Sequence, residues 1–181
     1  IFMFDGSSSM GDMFKDTNTS KVQILKEFLQ RQNTNFPEIG HNFGLYEYAP
    51  KFKEVYAVQP YRRQSFADAL NQLPSMADGP TLLQRGLVKI EPVLQGLTGS
   101  TVVFLFTDGT YSDSRDPAKK AQELADKYNV CFILVGTADT KEAESFLQKM
   151  ASVNQCSRVI AFETYIDRPE YNSGALYVVK S

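Results

Sequence analysis

The sequence predicts an α/β fold, an open and mostly parallel doubly wound sheet with one antiparallel edge strand and helices on both faces. Three observations carry that expectation. Strand and helix patterns alternate from Thr101 to Phe162, the repeat of a parallel sheet with crossover helices. The opening run Ile1-Phe2-Met3-Phe4 is apolar on both faces, as a central strand covered from both sides must be. Two further strand-like runs, Asn42 to Tyr48 and Phe52 to Val58, are separated only by Ala49-Pro50-Lys51, a connection short enough for a hairpin and an antiparallel edge.

Taken in order, the first strand runs into Asp5-Gly6-Ser7-Ser8-Ser9, and Met10 to Thr19 reads as a polar loop. Ser20 with Gln23 forms a candidate capping box for a helix whose apolar stripe is Val22, Leu25, Phe28 and Leu29. In the Asn42 to Tyr48 strand, Phe43, Leu45 and Glu47 alternate with Tyr46 and Tyr48. Ser65 with Asp68 is expected to start a short helix that ends before Pro74. The turn Asp78-Gly79-Pro80-Thr81 leads into a helix carrying Leu83, Leu87, Ile90 and Leu94, with Pro92 expected to kink it or end it early.

Thr101 to Phe106 is strongly β-like and delivers Thr107-Asp108-Gly109 at its carboxyl end. Asp116-Pro117 is a helix start, a cap followed by proline at the first helical position. Val130 to Val135 is the next strand, Asp139 with Glu142 the expected cap of the next helix, and Arg158 to Phe162 the last strand of the repeat. Leu176 to Val179 reads either as one more edge strand or as a linker. The expected organisation is one domain over residues 1–162 and a C-terminal extension over 163–181.

At 181 residues a single core is large enough to be stable without metals or disulfides. With 19 basic and 21 acidic residues the formal charge is -2, which gives no reason to expect a nucleic-acid partner. No apolar run approaches a membrane span, so no direct membrane insertion is expected. Ile1 already lies in a strand, and the chain therefore reads as a domain of a longer precursor. Cys131 and Cys156 are too few for a thiolate zinc site. They sit near the starts of neighbouring predicted strands and read either as a bridge or as two small buried hydrophobes.

The chemistry gathers at one rim. Asp5, Ser7 and Ser9 occupy alternate positions after the first strand, so one carboxylate and two hydroxyls project to the same side. Thr81 and Asp108 are delivered to the same end of the sheet by two other loops. These oxygen donors suit a small hard cation. Asp12, Asp16, Asp113 and Asp116 read as solvated turn and cap residues near that rim, and His41 as a surface or structural residue.

The motif Asp5-Gly6-Ser7-Ser8-Ser9, with Thr81 after Gly79-Pro80 and Asp108 within Thr107-Asp108-Gly109, resembles the von Willebrand factor type A domain with its metal-ion-dependent adhesion site. Pro80 departs from the commoner Gly-Gly-Thr form but leaves the hydroxyl in place. The resemblance implies that Ser7, Ser9 and Thr81 ligate a cation directly, with Asp5 and Asp108 contacting it directly or through water. The expected ion is Mg2+, with Mn2+ or Ca2+ able to substitute, and the expected partner is a protein presenting an Asp or Glu carboxylate. No catalytic residue is expected. A phosphohydrolase of the haloacid-dehalogenase kind is the enzymatic alternative, but it needs a second carboxylate where Ser7 stands. A structural domain with a vestigial site is the other alternative. The bacterial character of the sequence and its few cysteines point to the periplasm or cell surface, a cytoplasmic address being the alternative.

Overall fold

The computed structural model describes residues 1–163. The strands are β1 (Phe2–Asp5), β2 (Asn42–Ala49), β3 (Lys53–Pro60), β4 (Thr101–Thr107), β5 (Val130–Gly136) and β6 (Arg158–Ala161). They form one sheet of order β3-β2-β1-β4-β5-β6, parallel throughout except for the β2–β3 pair at one edge. The expected fold class is therefore found. The helices are α1 (Lys21–Asn35), α2 (Arg63–Asn71), α3 (Leu83–Gln95), α4 (Pro117–Tyr128) and α5 (Lys141–Ala151).

The sheet separates two cores of different composition. One is aromatic, built by α1 and α2 over Phe2, Phe4 and Phe106, where the Phe2 ring stacks on Phe104 at 5.2 Å and meets Phe66 at 5.4 Å. The other is mainly aliphatic, with Leu83, Leu87, Ile90 and Leu94 of α3, Ala121 and Leu124 of α4 and Leu147 of α5 against Met3, Val103 and Leu105. The alternation in β2 holds: Leu45 lies in the aromatic core, while Tyr46 and Tyr48 point into the other.

Local expectations are corrected at five places. Part of the loop after Asp5 is ordered as a short 3-10 helix over Ser8–Gly11. Ser20 caps α1 by accepting from Gln23 N at 3.4 Å, but the Gln23 side chain donates to Glu27 instead of returning to the cap. α2 begins at Arg63, ahead of the expected Ser65, because Glu38 from the α1–β2 loop accepts the Arg63 N–H at 2.6 Å. α3 continues through Pro92 to Gln95, which corrects the early end of the two expected outcomes. Burial of Ile90 and Leu94 on either side of the proline holds the last turn against a cost of about 3 kcal/mol. α5 is capped by Thr140, whose hydroxyl accepts from Ala143 N at 3.1 Å, while Asp139 is engaged elsewhere.

Asp116 caps α4 as expected, accepting from Ala118 N at 3.0 Å. Asp113 caps α3 across space, taking the amides of Gln84 and Arg85. Cys131 on β5 and Cys156 before β6 form a disulfide with a Cα separation of 5.4 Å. The segment Leu176 to Val179 lies outside the described residues.

Candidate functional site

β1 and β4 are neighbours, and from them the chain winds outward in opposite directions. Their carboxyl ends therefore flank the switch point of the sheet, the place where an open α/β fold forms a crevice. Asp5 ends β1, and Thr107 ends β4 with Asp108 next in sequence. The third loop, before α3, is tied to both: Asp78 N donates to Gly6 O at 2.9 Å, Ser8 N to Gly79 O at 2.8 Å, and Ser112 N to Thr81 O at 2.8 Å.

These ties bring all five sequence-predicted donors together. Thr81 Oγ1 donates to Ser7 Oγ at 2.7 Å, and Ser7 Oγ lies 3.3 Å from Ser9 Oγ. Ser7 N donates to Asp5 Oδ1 at 3.0 Å. Ser9 Oγ is 2.9 Å from Thr110 Oγ1, which in turn donates to Asp108 Oδ1 at 2.8 Å. Asp5, Ser7, Thr81 and Asp108 are buried, and Ser9 and Thr110 lie on the open side of the cluster.

The two carboxylates differ. Asp5 is fully engaged: besides Ser7 N, its Oδ2 accepts from the Tyr48 hydroxyl at 2.6 Å and from Thr107 Oγ1 at 2.9 Å. Burial pushes its pKa above the usual carboxylate range, the hydrogen bonds from Ser7 and Tyr48 oppose that rise, and the nearby Asp108 charge adds to it. The Tyr48 hydroxyl is pushed well above its ordinary value, first by burial and then by the Asp5 charge. On Asp108, Oδ1 accepts from both the amide and the hydroxyl of Thr110, whereas Oδ2 is buried with no hydrogen-bond partner. Its nearest cation is Lys21 Nζ at 3.7 Å, and that ammonium also pairs with Asp139.

An orphaned buried carboxylate oxygen is costly, by about 1–3 kcal/mol, unless something completes it. Beside it stands a run of hydroxyls with lone pairs to offer, and such a donor set suits a hard cation. Among the described residues no group of three or more His, Cys, Asp or Glu converges anywhere, so a cation here would depend on the neutral hydroxyls.

Two glycines permit this packing. Gly109 has φ +82, and a Cβ there would lie 2.8 Å from Ala143 O, so the turn after Asp108 requires glycine. Gly86 on α3 lets the helix close onto Tyr48, 2.7 Å from where its Cβ would stand, and so seats the phenol that holds Asp5. Tyr48, Thr110 and Lys21 were not singled out by sequence, and Thr107 only as part of the Thr107-Asp108-Gly109 motif. Thr107 and Thr110 lie within two residues of Asp108 and offered a local signal; Tyr48 read only as a strand residue, and Lys21 carried no signal of its own.

The profile of the von Willebrand factor type A domain matches residues 1–170. No curated protein sequence matches the chain. Solved structures of similar fold include proximal thread matrix protein 1 from the mussel byssus with a zinc-occupied MIDAS motif, at 22% identity and TM-score 0.68. That match covers 96% of this chain and 44% of the mussel chain, so the chain spans less than half of that relative. An aerotolerance-related membrane protein from Bacteroides fragilis aligns at 13% identity and TM-score 0.68, over 96% and 92% of the two chains. Manganese-loaded TRAP protein from Plasmodium vivax aligns at 14% identity and TM-score 0.62, over 94% and 71%. With the sheet order, the switch-point rim and a profile match over nearly its whole length, the chain belongs to the von Willebrand factor type A domain family.

Proposed function

We propose that this chain is a divalent-cation-dependent protein-binding module, of adhesive or sensory kind, and not an enzyme. Ser7, Ser9 and Thr81 would hold the ion through their hydroxyls, with Asp5 and Asp108 contacting it directly or through water. Mg2+ is the ion proposed, with Mn2+ or Ca2+ as substitutes. Held mainly by neutral oxygens, a divalent ion keeps much of its charge and supplies Lewis acidity toward one more ligand, the Asp or Glu carboxylate of a protein partner.

The observation that carries the reading is Asp108 Oδ2, which has no hydrogen bond and only the Lys21 ammonium at 3.7 Å, buried beside a connected run of hydroxyls at the sheet's switch point. The rest of the chain's work is positional. Tyr48 and Thr107 fix the Asp5 carboxylate, the three interlocked loops hold the hydroxyls in register, and Ser9 and Thr110 mark the side from which a partner approaches. The similar structures described as metal-loaded support the reading without assigning residues here. The disulfide favours an oxidising compartment, and we place the module at a bacterial periplasm or cell surface.

Calorimetric titration of metal-free protein with Mg2+ and Mn2+, repeated on Ser7→Ala/Ser9→Ala, tests this. The wild type is expected to bind with moderate affinity and the double variant to lose binding. Equal affinities would refute the assignment.

A further inference from the structure

Lys21 is buried, its side chain only 4% exposed, at the first turn of α1. Its Nζ faces Asp108 Oδ2 at 3.7 Å and pairs with Asp139 of the β5–α5 loop. The ammonium meets both carboxylates and is needed neither to cap the helix nor to fix Asp5. The α1 amino end is capped by Ser20, and Asp5 has its own hydrogen-bond donors. A fixed positive charge beside the orphaned oxygen also works against holding a divalent cation there, because like charges in a water-poor site repel strongly.

We propose that Lys21 sets the charge of this rim: it weakens cation binding and makes the loaded rim receptive to a carboxylate. The inference builds on the cation-dependent reading above. The four charged groups Asp5, Asp108, Asp139 and Lys21 sum to a formal charge of −2, which a divalent ion would bring to zero, while Glu47 beside Gly6 adds a carboxylate that is offset by Lys53, its neighbour across the β2–β3 pair. Without Lys21 the loaded rim would be negative and would repel an incoming carboxylate. Lys21 is therefore a specificity-determining residue for an anionic partner group. Asp139 holds it in place whether or not Asp108 is occupied.

The charge series Lys21→Met, Asp139→Asn and the double variant, compared with wild type, separates this role from scaffolding. Mn2+ affinity is measured calorimetrically. Acetate, as a simple carboxylate probe, is titrated into Mn2+-loaded protein at constant ionic strength, and displacement of metal-bound water is followed by water-proton relaxation. Lys21→Met is expected to bind Mn2+ about tenfold or more tightly and acetate correspondingly more weakly. Asp139→Asn should shift both affinities the opposite way, and the double variant should return near wild type. Should Lys21→Met fail to fold, Asp139→Asn and the double variant still decide. Wild-type Mn2+ affinity in every variant overturns the role of Lys21 while leaving the cation reading intact. A loss of Mn2+ binding in Lys21→Met that the double variant does not restore makes Lys21 a scaffold and also overturns it. Absence of Mn2+ binding by the wild type overturns both readings.

Discussion

The rim at the carboxyl ends of β1 and β4 and the flank built by α3, α4 and the β5–β6 edge use polar side chains in opposite ways. At the rim, polar groups are buried and one of them, Asp108 Oδ2, is left without a hydrogen bond. On the flank the carboxylates of Glu91 and Asp116 are completed. Glu91 accepts from Lys120 at 2.7 Å, from Lys127 at 3.0 Å and from the Tyr128 hydroxyl at 3.1 Å. Asp116 caps α4 and pairs with Lys149 of α5, and the disulfide ties β5 to the segment before β6. The flank completes its polar groups within the fold; the rim leaves a buried carboxylate oxygen without a hydrogen bond. The two should respond to substitution in different observables.

The largest effect expected is on the flank. Cys131→Ser/Cys156→Ser opens a loop with a sequence separation of 25. By the chain-entropy relation this costs about 3.5 kcal/mol, read as a lower denaturation midpoint with Mn2+ affinity unchanged. A change in cation affinity in that variant would break the separation between the two regions.

Next is Tyr48→Phe, which divides the rim itself. It removes the 2.6 Å hydrogen bond to Asp5 Oδ2 and leaves Thr107 as the remaining partner of that oxygen. Loss of a hydrogen bond to a buried carboxylate is expected to lower metal-free stability by about 2 kcal/mol. Urea unfolding in the presence of a chelator measures it. An unchanged midpoint would mean that Asp5 needs no second donor and would place its half of the rim with the loosely partnered groups.

The smallest effect concerns Glu91, whose carboxyl is held down at about 2 first by the Lys120 hydrogen bond and then by Lys127. A lowered folded-state pKa stabilises the fold above the unfolded carboxyl pKa, and the contribution fades as pH falls through about 2. Glu91 is 22% exposed, so the stability difference from Glu91→Gln should stay below about 1 kcal/mol at neutral pH. It should shrink steadily between about pH 4.5 and pH 2 in acid-unfolding curves. A difference that grows on acidification would contradict the ion-pair account of the flank.

Much of this molecule was legible from its sequence, for local reasons. Strand and helix types follow from periodicity, so strands at Ile1 to Phe4 and Thr101 to Phe106 could be placed without coordinates, within a residue of the observed Phe2–Asp5 and Thr101–Thr107. Asp116-Pro117 announced α4 because a cap and its first turn are adjacent in the chain. The five oxygen donors were legible because each stands at a strand end or in a turn whose own residues mark it. Helix starts failed where the cap came from a distance: Glu38 begins α2 early, and the pairing of Asp139 with Lys21 leaves the cap of α5 to Thr140.

The sequence by itself determined the order of elements, the doubly wound class and the presence of oxygen donors at one rim, since periodicity, turn chemistry and strand ends are properties of neighbouring residues. Only the tertiary structure decided that Tyr48 holds Asp5, that Lys21 stands between Asp108 and Asp139, that Asp113 caps α3, and that the two cysteines pair. Those contacts depend on how helices are rotated and seated against the sheet. That seating is set by the shape of two buried cores, which no single segment of the chain encodes.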